Sequence, residues 1–75
     1  MNMQSIQNEI KFLAKEAADY WNNLTDEQKD EYMDNGTSTV FEDVDLPVYM
    51  TIVHADEDGE LLGVLEDEFW NLAED

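Results

Sequence analysis

Seventy-five residues suffice for one small domain around one modest core, spanning 1–75, and leave no room for a second domain or an elaborate active site. Hydrophobic residues at 43 % and aromatics at 11 % exclude a disordered acidic tail, and the absence of cysteine excludes disulfides, thiolate metal sites and cysteine nucleophiles. Twenty acids against three lysines give a net charge of -17, far more than the roughly 2 to 8 charges that keep a small domain soluble.

In chain order, residues 3 to 24 read as an amphipathic helix. Met3, Ile6, Ile10, Leu13, Ala14, Ala17, Trp21 and Leu24 recur at spacings of three and four. The opposite face carries Gln7, Glu9, Lys11, Lys15, Glu16 and Asp19 and looks like an ordinary solvated one with helical ion pairs. After a break at Asn22, Asn23 and Leu24, Thr25 to Gln28 matches a capping box and Asn35-Gly36 supplies a stop, so a second helix is predicted over about 26 to 34.

The segment Trp21-x-x-Leu24-Thr25-x-Glu27-x-Lys29-x-x-Tyr32 resembles the helix junction of HMG boxes. That resemblance implies packing of Trp21, Leu24 and Tyr32 together. It does not extend to DNA binding, because the basic contact residues and the third long helix of that family are absent.

Beyond residue 36 the period changes and the composition favours strands. Residues 37 to 44 are β-branched and aromatic, residues 48 to 55 give the clearest strand, Asp56-Glu57-Asp58-Gly59 reads as a hairpin tip, and residues 60 to 65 as the returning strand. Asp45-Leu46-Pro47 separates the first two strands. Residues 66 to 73 fit a short C-terminal helix docking Phe69, Trp70 and Leu72 on the sheet. The expected fold class is therefore α+β: two N-terminal helices, a small antiparallel β-sheet of three strands, and that short helix.

Chemical readings of the acids mostly fail. Set on a calcium loop with Gly59 at position 6, Asp56 and Asp58 fall on ligand positions, but His54 and Leu65 stand where an acid and a bidentate Glu are required. No metal site and no cofactor are expected. The single His54 lies in a predicted strand as a surface residue, and Ser5 and Ser38 have no triad context. There is no phosphate-binding loop, dinucleotide fingerprint or zinc spacing, so no catalytic residue is predicted and the chain is not expected to be an enzyme. Tyr20, Trp21, Phe69 and Trp70 are expected in the core, and an exposed member of that set would suggest a binding hot spot or a homodimer interface.

The acids themselves form a pattern. Residues 1 to 29 hold five acids and all three lysines, whereas residues 30 to 75 hold fifteen acids and no base. Asp26, Asp30 and Asp34 repeat at i, i+4 and i+8, with Glu27 and Glu31 as a neighbouring column, which spaces them about 6 Å apart. Such like-charge pairs cost roughly 0.2 to 0.5 kcal/mol each. Asp43 with Asp45, and Asp56 with Asp58, would sit about 6.6 Å apart on the predicted strands. With a radius of gyration near ~11 Å and a diameter of about 30 Å, the net charge approximates the ~18 phosphates of a duplex of that length.

In size, charge and spacing the chain resembles the small acidic DNA-mimic inhibitor proteins of phages and bacteria. That class occupies the DNA-binding groove of a basic host protein such as the nucleoid protein HU, a restriction enzyme or a CRISPR effector. The resemblance implies a competitor of DNA, with a nucleoid protein of the HU kind as the favoured target. The partner-binding acids would be Asp26, Glu27, Asp30, Glu31, Asp34, Glu42, Asp43, Asp45, Asp56, Glu57, Asp58, Glu60, Glu66, Asp67 and Glu68. Two other classes stay open: an acidic adaptor or regulatory module using an apolar surface, and a divalent-cation-binding protein. Direct nucleic-acid binding is disfavoured by the charge. No run approaches 18 apolar residues and MNMQSIQNEIKF lacks a basic region followed by an apolar one, so the expectation is no membrane association and a cytoplasmic location, that of the host if phage-encoded.

Overall fold

The computed structural model describes residues 3–73. It contains α1 (Met3–Asn22), α2 (Asp26–Asn35), α3 (Ser38–Ala55) and α4 (Glu60–Leu72), with no strand among the described residues. The expected α+β fold is therefore overturned in its C-terminal half, while both N-terminal helices lie close to where the pattern put them. The side chain of Met3, placed on the α1 stripe by its spacing, lies outside the described residues.

α1 is the central element, packed against both α3 and α4. It buries Ile6, Ile10, Leu13, Ala14, Ala17, Ala18 and Trp21. The rest of the core comes from Val40, Phe41, Tyr49 and Ile52 of α3 and from Leu65 and Phe69 of α4. Phe69 is the hub of its aromatic part, with ring centroids 5.3 Å from Phe41 and 5.8 Å from Trp21. α2 buries no residue of its own. It is held by its ends and by Tyr32, whose ring lies 6.4 Å from that of Trp21.

Local chemistry sets the boundaries of α2. Thr25 Oγ1 accepts the N–H of Gln28 at 3.2 Å, and Gln28 Oε1 accepts the N–H of Thr25 at 2.9 Å, completing the capping box. Gly36, at φ 102°, ends the helix by donating its N–H to the Tyr32 carbonyl.

The predicted strands over residues 37 to 44 and 48 to 55 are one interrupted helix. Val40, Phe41, Val44, Val48, Tyr49, Ile52 and Val53 are all buried or partly buried in the common core, and their spacing is helical. Burial against α1 outweighs the modest strand preference of β-branched residues, which is a packing preference more than a backbone one. The Asp45-Leu46-Pro47 break is real but separates two helical segments. Asp45 leaves helical geometry at φ -158° and ψ 85°, and its Oδ1 accepts the N–H of Val48 at 3.3 Å. It thus caps the second segment, placing Pro47 in a first turn where its missing N–H costs nothing.

The expected hairpin tip is instead the α3–α4 linker. Gly59 adopts the expected positive φ, 86°, but as the residue that starts α4. Asp56 Oδ1 accepts the N–H groups of Gly59 and Leu61, and Asp58 Oδ1 accepts that of Glu60. The returning strand over residues 60 to 65 is the first half of α4, where Leu61, Leu62 and Leu65 face the core. The C-terminal helix thus begins at Glu60 and not near residue 66.

Candidate functional site

The fifteen candidate acids are all exposed or half-exposed, and the fold sorts them by what their side chains do. Asp26, Glu27, Asp30, Glu31 and Asp34 keep the predicted columns along α2, since that helix forms where expected. Asp26 and Glu27 lie in its favourable first turn, whereas Asp34 sits near the negative end of the helix dipole and next to Asp30 in the column.

The strand-based spacing of the other pairs is lost. Asp43 lies on the first helical segment of α3, and Asp45 is the residue at which α3 bends. Asp45, Asp56 and Asp58 each turn one carboxylate oxygen onto backbone N–H groups, so helix capping accounts for these three without a partner. Glu66 accepts the Thr37 hydroxyl and links the start of α3 to α4. Glu42 and Glu66 both act on Tyr49, whose hydroxyl is pushed up first by burial and then by the Glu42 charge, with Glu66 adding to it. Asp56, Glu57, Asp58 and Glu60 rim a cleft floored by Ile10, Leu61 and Val64. Glu68 lies on the adjoining groove beside Lys11, and Asp67 is exposed on α4.

Two of the acids, Glu31 and Asp43, come together with groups that sequence reasoning did not assign to a site. Tyr20 of α1, Tyr32 of α2 and Asp43 of α3 form a hydrogen-bonded chain, with 2.7 Å between the two hydroxyls and 2.6 Å from Tyr32 to Asp43 Oδ2. Since Tyr32 donates its one hydroxyl proton to Asp43, Tyr20 must be the donor to Tyr32. The Tyr32 hydroxyl is raised far above an ordinary phenol, mainly by the bond to Asp43 and then by that to Tyr20. These residues line a cleft of about 290 Å³ together with Leu24, Gln28, Glu31, Asn35 and Thr39. No local signal marks this meeting, because its members lie on three helices; the capping box that turns the chain between Tyr20 and Tyr32 is its one legible ingredient.

Of the aromatics expected inside, Trp21 and Phe69 are buried, but Tyr20 and Trp70 are each 37 % exposed. Trp70 packs edge-on to Trp21 at 5.5 Å. Lys29 lies 5.8 Å from the Trp21 ring, and Lys15 pairs with Asp19 at 3.8 Å with both side chains largely exposed. Among the described residues no group of three or more His, Asp or Glu is arranged to hold a metal ion, and no helix is long and apolar enough to cross a membrane.

The chain matches no protein family, no curated protein and no solved structure.

Proposed function

We propose that this protein is a DNA mimic: it binds the DNA-binding surface of a basic protein and competes with DNA, a nucleoid protein of the HU kind being the favoured target. The observation that carries the reading is the distribution of charge over an elongated body. The molecule measures 38 × 19 × 18 Å, and past Lys29 the chain has no basic residue to interrupt its acids.

Without Glu74 and Asp75 the net charge of residues 3–73 is -15, one per about 2.5 Å of the long axis, against one per ~1.7 Å for B-DNA. The mimic is thus less dense than a duplex, because the molecule is longer than a compact sphere of its size; it remains dense enough to meet a row of Lys and Arg side chains. The columns on α2 support the same reading, since a helix that buries nothing gains no stability from stacking like charges. Carboxylates that cap helices belong to the frame, so the acids of α2 with Glu42, Asp43, Glu57, Glu60, Glu66, Asp67 and Glu68 are those offered to a partner.

The test is competition. Added to a complex of an HU-type protein with labelled duplex DNA, the protein should release the DNA, and its own affinity should fall steeply from about 50 to about 500 mM salt. Reversing Asp30 and Asp34 to Lys should weaken binding more than reversing Glu9 and Glu16. Affinity indifferent to salt, or the opposite ranking of the two pairs, would end the proposal.

An adaptor that docks through apolar surface is the second reading, favoured by the half-exposed Phe12, Leu46 and Leu72. It predicts that Phe12→Ser or Leu46→Ser abolishes capture of a partner while salt has little effect.

A further inference from the structure

We propose that the cleft between α1, α2 and α3 is a receptor for one guanidinium group, the side chain of an arginine on the partner. The inference rests on the reading of the protein as a binder of basic surfaces and names the position where that surface is anchored.

The cleft differs from the hollow rimmed by Asp56, Glu57, Asp58 and Glu60 in having aromatic rings and hydrogen-bonded phenols in its lining. At about 290 Å³ it lies at the lower edge of the range for ligand pockets, the scale of a single side chain and not of a drug-sized molecule. Its walls include two aromatic rings set edge-to-face, with centroids 6.1 Å apart, against which a planar cation can stack. Its acceptors are fixed in advance. Tyr20 spends its proton on Tyr32 and Tyr32 spends its own on Asp43, so the Tyr20 oxygen is left as an acceptor, and the second oxygen of Asp43 is another.

Glu31 stands in the same lining and supplies a second carboxylate. Two carboxylates, a phenol oxygen and aromatic faces in one small cleft match a planar, delocalised cation with several fixed N–H donors. An ammonium, compact and strongly hydrated, uses neither the plane of the rings nor the spread of the acceptors. Because the hydrogen-bonded chain already ties the three helices, the cation enters an ordered site and little ordering is lost on binding.

The probe is N-acetyl-arginine methylamide, titrated into the full-length protein at about 0.15 M salt and followed by NMR shifts of side chains and backbone. The shifts should be confined to Tyr20, Gln28, Glu31, Tyr32, Asn35 and Asp43, and the lysine analogue should bind several-fold more weakly. Asp43→Asn and Glu31→Gln should each weaken arginine binding roughly tenfold, while Glu16→Gln, which removes the same charge elsewhere, should leave it unchanged. A circular dichroism spectrum identical to that of the parent protein confirms that each variant is folded. Shifts spread evenly over the acidic surface, equal binding of the lysine analogue, or equal effects of Asp43→Asn and Glu16→Gln would overturn the proposal. Failure of the two readings is distinguishable: a protein that displaces DNA but shows no localised arginine site removes the receptor alone. One that binds the arginine probe in the cleft yet displaces no DNA from any HU-type protein keeps the receptor and removes the mimic.

Discussion

Tyr32 does more than its place on a solvated helix requires, because its ring packs toward Trp21 while its hydroxyl joins α1 to α3 through Tyr20 and Asp43. The consequence for stability has a definite sign. The folded chain holds the Tyr32 proton above the ordinary value of 10.0, so an unfolded chain loses that proton first. The contribution is complete below pH 10 and is lost as pH rises through the folded value. Tyr49 is shifted the same way, first by burial. Urea unfolding at successive pH values above about 10 should therefore show stability falling with pH, and Tyr32→Phe should make that fall shallower while leaving the Tyr49 part in place. An identical slope in the variant would show that the hydrogen-bonded chain does not persist in solution. At this scale the sequence was partly legible. Thr25 and Gln28 announced their mutual cap because both partners lie within four residues, whereas Tyr20 and Asp43 are brought together only by three helices meeting.

Among the elements, the largest difference between expectation and structure lies in α3 and the first half of α4. The run Val48-Tyr49-Met50-Thr51-Ile52-Val53 has a strand-like composition, yet Val48, Tyr49, Ile52 and Val53 form a helical stripe against the core. Burial decided the outcome, because α1 packs along this stripe and no strand among the described residues stands beside it to complete a ladder. Thr51 fits the same outcome, its hydroxyl returning to the Pro47 carbonyl at 3.0 Å. The acids at the breaks had an equally local purpose. Asp56 satisfies two N–H groups at the start of α4, so Asp56→Ala should cost about 0.5–2 kcal/mol in urea unfolding, and an Asn in its place should restore most of it. A loss no larger than that of Glu57→Ala would show that the cap is not made. In the same linker the Asp56 and Asp58 oxygens accept backbone N–H groups, and Leu65, which stands where a calcium loop requires a bidentate Glu, is fully buried.

For the whole molecule, charge and core pull in opposite directions. A small core centred on Phe41, Phe69, Leu13 and Ile52 holds together a chain whose net charge of -17 repels itself in the compact state. Stability should therefore rise with ionic strength: the melting temperature should increase from about 0.01 to about 0.5 M NaCl as the Debye length shrinks from ~30 Å to a few ångström. A flat response would show that exposed acids are already far enough apart to be screened. Partner binding should respond to salt in the reverse direction, so one titration of salt separates the energetics of the fold from those of the surface.

The sequence by itself determined the charge, its concentration in the chain past Lys29 without a compensating base, the two N-terminal helices and the points at which the chain turns, because each of these is written in composition or in contacts a few residues apart. Only the tertiary structure decided that residues 38 to 55 and 60 to 72 are helices, that Asp45, Asp56 and Asp58 serve caps, and that Tyr20, Tyr32 and Asp43 share one cleft. The physical reason is that each depends on how α3 and α4 pack on α1 and where the chain turns between them, which contacts a few residues apart do not specify.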